Sequence, residues 1–355
     1  MGLFFCSQYG IELGELKLVF DVLHPTLCRH FGLPHDPKDF EESVKVLEGS
    51  FIKIRERTVS FLNPSVRDYL NAYLNDIKLL TIFASVAPRF IWARELWRHV
   101  HHDSERFSGE NDVALAQAFA GMGETEKFPL RRQSAEPPHH SYPYDLYPSQ
   151  RIELLLDWAV VADSEAYSQS AIILLNKAEY TAWSDGTKLI DLFLAIRRDE
   201  FYKSLIQAKA IIDLLEQVIV GIFRDNYVPS DDLESMCDRI DENRNEFSND
   251  VIAAMREAIV SEIESAYERT AGMDSESTLS DHATILEKLG NRIGLSKVII
   301  KDALLKVEER IGQVRDDTSD AEPPQLTGRR TDEDTFDNTA LKNLFAPLAD
   351  DTSML

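Results

Sequence analysis

The densest set of metal-capable side chains is "HVHHD", residues 99–103, which places His99, His101, His102 and Asp103 together. Helical residues three or four apart share a face, so His99 could act with His102 or with Asp103. A structural zinc needs about four ligands, and a hydrolytic zinc needs an accompanying general base. The plainer reading is a polar helix end, and we assign no metal. His139 and His140 form a weaker pair in a Pro-rich stretch. A nucleophilic serine in a GxSxG setting is absent. Acids are so plentiful that any two on a helix can fall on one face, and a carboxylate pair carries no information. No GxxxxGK[ST] loop occurs either. Gly109, Gly121 and Gly123 lack a following Lys-Ser/Thr and a preceding apolar strand. The backbone amides and lysine that hold nucleotide phosphates are therefore missing. These residues predict neither a hydrolase nor an ATPase, and no cofactor.

Composition sets the frame for whatever elements position these groups. The 355 residues are 44% hydrophobic, enough for a buried core. The net charge of −23 lies wholly in residues 101–355, because residues 1–100 carry 12 basic and 12 acidic side chains. An acidic C-terminal two-thirds repels nucleic-acid phosphates. Cys6, Cys28 and Cys237 are widely spaced and form no CxxC pair, which fits a reducing cytoplasm. No stretch offers the ~20 apolar residues of a membrane span, and the N-terminus has no basic region for a signal peptide. We expect a cytoplasmic protein with no membrane contact.

The N-terminal third predicts a small mixed unit. Leu13, Leu16, Val19, Phe20, Leu23 and Leu27 recur at helical spacing. Pro25 inside that pattern predicts a kink or break near His24. A second helix is expected with Asp36 as its cap, Pro37 in its first turn and Gly49 at its end. Residues 51–54 and 58–62 alternate as strands around Arg55-Glu56-Arg57. "NPSVRDYL" then restarts a helix, with Asn63 as cap, Pro64 at its first position and Asp68 near its positive end. Val66, Tyr69, Leu70, Tyr73, Leu74 and Ile77 are expected on its buried face. Helices, a two-stranded wing and a helix make a winged-helix unit over residues 1–76. Lys53, Arg55 and Arg57 on the wing could touch DNA. Glu41, Glu42, Glu48 and Glu56 are interleaved with the basic residues and break up any patch, which favours packing against protein.

The string "VKVLEGSFIKIRERTVSFLNPSVRDYLNAYL" resembles the segment that follows the nucleotide-binding core in bacterial STAND-class NTPases carrying an Asn-Pro-Ser-x-Arg-Asp motif. The resemblance covers roughly residues 1–100, with the motif at Asn63, Pro64, Ser65, Arg67 and Asp68. It implies a winged helix leading into a helical region, and a role as the regulatory or sensor portion of a signalling or phage-defence switch. The ATPase core of that family is absent from these 355 residues. Arg67 could contact the nucleotide of such a core. The reading we prefer is that Arg67 and Asp68 fix the helix after the wing.

The remainder reads as helices, with a helical extension over 77–121, a Pro/His/Tyr-rich loop over 122–149 and an irregular α-solenoid or bundle over 150–310. No strand is convincing there. Trp92, Trp97, Trp158 and Trp183 are expected in the core. Residues 311–355 form an acidic tail expected to be disordered up to 335. Within it Leu341, Leu344, Phe345 and Leu348 share one helical face. That face could dock in a partner's groove or pack back on its own chain. The expected fold is mainly α, and the expected function is non-enzymatic: a regulatory, protein-binding part of a STAND-type system. The alternative is a winged-helix DNA-binding regulator, although nucleic acid is disfavoured by the charge.

Overall fold

The structure is a computed structural model that describes residues 5, 10–101, 109–133, 141–225 and 228–319. It is mainly helical, with a small three-stranded antiparallel sheet near the N-terminus. The chain enters through β1 (Ile11–Glu12) and turns at once into α1 (Leu13–Phe31). The Glu12 carboxylate accepts the Glu15 backbone N–H at 3.1 Å and so satisfies one of the helix's unpaired donors. α1 is continuous through Pro25, and the expected break does not occur. Proline removes one backbone hydrogen bond, but Leu23 and Cys28 are buried on either side of it. His24 is also stacked on Phe20, with ring centroids 4.5 Å apart. α1 ends instead at Gly32, whose φ of 66° only glycine adopts without strain.

α2 (Asp39–Leu47) starts later than the position of Asp36 implies. Asp36 accepts the Lys38 N–H at 2.9 Å and caps the preceding turn, while Asp39 opens the helix. β2 (Ile52–Arg55) and β3 (Thr58–Phe61) form the expected hairpin, with Ile52 opposite Phe61 and Arg55 opposite Thr58. The turn is therefore Glu56-Arg57, and Glu56 takes a φ of 55°. β1 pairs with the other edge of β3 through Ile11 and Val59, giving the order β1-β3-β2. Two residues of alternating pattern are too few to mark β1 in the sequence. α3 (Pro64–Tyr73), α4 (Ile77–Ser85), α5 (Phe90–His101) and α6 (Gly109–Ala118) follow.

The Pro/His/Tyr-rich stretch is not wholly loop. It holds β4 (Arg131–Gln133) and β5 (Ser141–Pro143), paired antiparallel, which corrects the expectation of a loop over 122–149. Three-residue strands rich in Arg, Gln and Pro carry no usable hydrophobic alternation. The helical body then runs through α7 (Pro148–Val161), α8 (Glu165–Lys177), α9 (Thr187–Arg198), α10 (Ala208–Arg224), α11 (Ser230–Glu242), α12 (Asn249–Glu264), α13 (Ala266–Arg269), α14 (Glu276–Arg292) and α15 (Lys297–Ser319). Successive helices pack as neighbours, α7 on α8, α9 on α10 and α14 on α15, with α10 also against α12. α15 passes the boundary expected at residue 310. Val314 is buried and Arg315 is ion-paired with Glu276, so residues 311–319 belong to the body. The acidic tail beyond, with Leu341, Leu344, Phe345 and Leu348, lies outside the described residues.

Buried side chains form one cluster running from Phe5 to Val314. Trp92, Trp97 and Trp158 are core residues as expected. The junction between the N-terminal elements and the body is polar but closed. Asp145 accepts the N–H groups of Phe90 and Ile91 at the start of α5, each at 2.8 Å. It also pairs with Arg151 of α7 at 3.3 Å, both side chains being 1% exposed. Arg151 donates further to the carbonyls of Leu146, Phe128 and Pro129. No helix among the described residues is long and apolar enough to cross a membrane.

Candidate functional site: an apolar groove of the N-terminal unit

α1 presents Leu16, Val19, Phe20, Leu23 and Leu27 to α2, the hairpin and α3. Val19 and Leu23 are buried and Leu16, Phe20 and Leu27 half-buried. They line an open groove of about 450 Å³, whose opposite walls are Phe40, Val44 and Leu47 of α2 and Val66, Tyr69 and Leu70 of α3. The β-sheet supplies the floor through Ile52, Val59 and Phe61. The only lining side chains with polar groups are His24, Ser43 and Tyr69. His24 bridges two walls, since its Nε2 lies 2.7 Å from the Asp39 carboxylate at the start of α2. A hydrogen bond from the Asp36 backbone, then the contact with His24, holds the Asp39 carboxyl below its ordinary range.

The N-terminal unit that holds the groove is rich in exposed apolar residues. Of fifteen large hydrophobic residues exposed among the described residues, ten lie between Leu18 and Tyr73. Three of them, Leu47, Phe51 and Tyr69, line the groove, and Tyr69 is 64% exposed. Scattered exposed leucines need no explanation, but exposed apolar side chains gathered along one groove fit an interaction surface.

The Asn-Pro-Ser-x-Arg-Asp residues set one wall. Asn63 Oδ1 accepts the Ser65 N–H at 3.0 Å, which makes it the cap of α3, with Pro64 in the first turn. α3 nevertheless has no fully buried residue, contrary to the buried face expected for it. Leu70 and Val66 are half-buried at the groove, and Tyr69 and Tyr73 are exposed with their rings stacked at 5.9 Å. Of the expected face only Leu74, just past the helix end, is buried. Arg67 is half-buried, and Ser65 and Asp68 are exposed. Lys53 is half-buried on the β2–β3 hairpin, while Arg55 and Arg57 are exposed at its tip beside exposed Glu56. None of these three lines the groove.

Of the histidine cluster, the side chain of His99 alone lies among those described. His99 Nε2 lies 2.6 Å from the Leu74 carbonyl, an acceptor only, so that nitrogen carries the proton; Nδ1 lies 3.0 Å from Asn71 Oδ1. Both ring nitrogens are engaged, and His99 serves as a strut from α5 to the end of α3, which removes it from the metal reading. His102 and Asp103 lie outside the described residues, as do His139 and His140. Among the described residues no group of three His, Cys, Asp or Glu could hold a metal.

A second cavity, about 800 Å³, opens in the helical body between α10, α12 and α13. Its charges answer one another: Arg269 donates to Glu262 at 3.0 Å and Arg224 to Glu257 at 3.4 Å. Glu262 is 3% exposed, and burial raises its carboxyl despite the arginine. Close in sequence to this wall, Ser230 meets His282 Nδ1 at 2.9 Å, with burial holding the imidazole below its usual value. Sequence reasoning missed these buried polar residues because a helical Glu or His looks the same buried or exposed. The groove did leave a signal. Leu18, Val22 and Phe31 lie beyond the apolar face of α1, among Lys17, Asp21 and Arg29, and an apolar set wider than one face marks a helix with more than one surface to cover.

Comparisons of the chain with protein-family models, with curated proteins and with solved structures return no match. The groove and the fold around it are thus the basis for a functional reading.

Proposed function

We propose that this chain is a non-enzymatic, protein-binding regulatory unit, with a winged-helix element whose groove receives an apolar segment of a partner and a helical array that serves as the sensor. The observation that carries this reading is the open apolar groove with its exposed lining residues Leu47, Phe51 and Tyr69. A monomer with no docking function has no reason to leave such a surface uncovered. The Asn63–Asp68 motif supports a more specific version, in which the unit is the regulatory portion of a STAND-type NTPase in bacterial signalling or phage defence. The partner would then be a separate nucleotide-binding or effector module in the cytoplasm. The exposed Arg55 and Arg57 favour DNA binding as a second reading; the acidic residues interleaved with them weigh against it.

The test is site-specific photocrosslinking in the producing cell, with the probe at Phe51 or Tyr69 and a control probe at exposed Glu287. A protein carrying a P-loop domain, captured from the groove positions and not from Glu287, supports the proposal. Equal capture at all three positions refutes it. A duplex-DNA mobility shift that weakens steeply with salt and is lost in Arg55→Ala/Arg57→Ala would favour the second reading.

A further inference from the structure

We propose that residues 336–348 of this chain, FDNTALKNLFAPL, occupy the groove in cis and keep it closed until a partner displaces them. This rests on the reading of the groove as a docking site. The spacing of Leu341, Leu344, Phe345 and Leu348 is that of a helix presenting one apolar face to a groove. The lengths agree. Leu341 to Leu348 spans about 10 Å of helix, and the nine-residue α2 that forms one wall spans about 14 Å at the same rise.

The chain reaches. Residues 320–335 separate Ser319, the last described helical residue, from the docked segment and can extend about 55 Å. That is over twice the ~20 Å radius of gyration of a compact chain of this size. Charge then selects among surfaces. Residues 320–355 hold eight acidic and three basic side chains, and residues 101–319 hold 41 acidic and 23 basic. The acidic segment is thus repelled by the helical body. Residues 1–100 are balanced, with Lys38 and Lys45 exposed at α2 beside the groove among exposed Glu41, Glu42 and Glu48, so this third of the molecule repels the segment least. The neutral third of the molecule and its apolar groove coincide.

The experiment uses the full chain and a full-length Leu344→Asp/Phe345→Asp variant, compared by amide hydrogen exchange and by fluorescence of 8-anilinonaphthalene-1-sulfonate. A short segment binding with Kd of about 100 µM, tethered at an effective concentration of about 1 mM, is bound about ten times as often as free. We expect amides of α2 and α3 to exchange about tenfold faster in the variant. Dye fluorescence should rise in the variant, and Val44→Asp added to it should abolish the rise. A peptide of residues 334–351 added to the variant should restore protection. Equal exchange and equal dye binding in both proteins overturn the cis proposal. If that shared dye signal is lost on Val44→Asp, the groove still stands as a docking site. If neither protein binds dye, the groove reading falls as well. Protection that disappears on dilution assigns the occupant to a second copy and also overturns the proposal.

Discussion

Replacing Asp145 by alanine should loosen the junction between the N-terminal elements and the helical body. Its carboxylate accepts three backbone N–H groups, those of Phe90, Ile91 and Leu146, each at 2.8 Å. It also faces Arg151 across 3.3 Å, with both side chains 1% exposed. Two effects combine. Loss of a helix-start acceptor costs about 1 kcal/mol. Breaking a buried pair by removing one partner costs about 3–5 kcal/mol, because the other charge stays buried. Arg151 keeps its three carbonyl acceptors and lies 4.7 Å over the Phe90 ring, which places the pair effect at the lower end. We expect Asp145→Ala to cost about 4 kcal/mol in urea melts. Arg151→Met should be destabilising alone, and the double variant should fall short of the sum of the two by about 2 kcal/mol. A cost below about 1 kcal/mol for Asp145→Ala, or additivity within about 0.5 kcal/mol, would refute the reasoning.

Other outcomes follow from single residues. Asn63→Ala should cost about 1 kcal/mol in denaturant melts through loss of the α3 cap, and a neutral result would mean the cap bond is not formed in solution. Leu70→Ala, at a half-buried groove position, should cost about 1–2 kcal/mol, below the usual range for core leucines. Burial pushes the Asp157 carboxyl up to about 7, although Tyr202 donates a hydrogen bond to it at 2.6 Å. The folded state therefore holds a proton that the unfolded state loses near pH 4, so stability should fall between about pH 4 and 7. Asp157→Asn keeps an acceptor for Tyr202 and should flatten that slope, leaving the variant the more stable at pH 8. Burial raises the Cys237 thiol to about 12, so Cys237 should resist alkylation in native buffer and react only on unfolding.

The parts legible in the sequence were those with local signatures. The hairpin follows from alternation on both sides of a short turn, and the Asn63 cap from a side chain that bonds two residues ahead. The helices of the body follow from apolar periodicity. What stayed hidden depended on distant partners. Nothing beside His99 announces Leu74 and Asn71, twenty-five and twenty-eight residues away, as its ring's partners. Nothing in "PYDLYPSQR" shows that Asp145 and Arg151 will be buried together against α5. The face of α3 was misjudged for a related reason. Periodicity identifies an apolar stripe, but it does not say whether the stripe meets the chain's own core or an open groove.

That ambiguity bears on how the groove would work. A stripe buried in a permanent core is free to be as apolar as packing allows, whereas a stripe that must be uncovered has to remain soluble while open. The groove meets this demand with groups at its edge: Tyr69 keeps its hydroxyl at the rim, and His24 with Asp39 sets a polar contact between α1 and α2. Those same groups limit affinity, because a docking helix must desolvate them without replacing their bonds. A moderate affinity suits a tethered occupant, whose local concentration compensates for weak contact, and suits a partner that competes by adding contacts outside the groove. Tyr69→Phe should therefore tighten binding of an apolar segment modestly while lowering the solubility of the open form. Unchanged affinity together with unchanged solubility would show that the rim hydroxyl has no part in either.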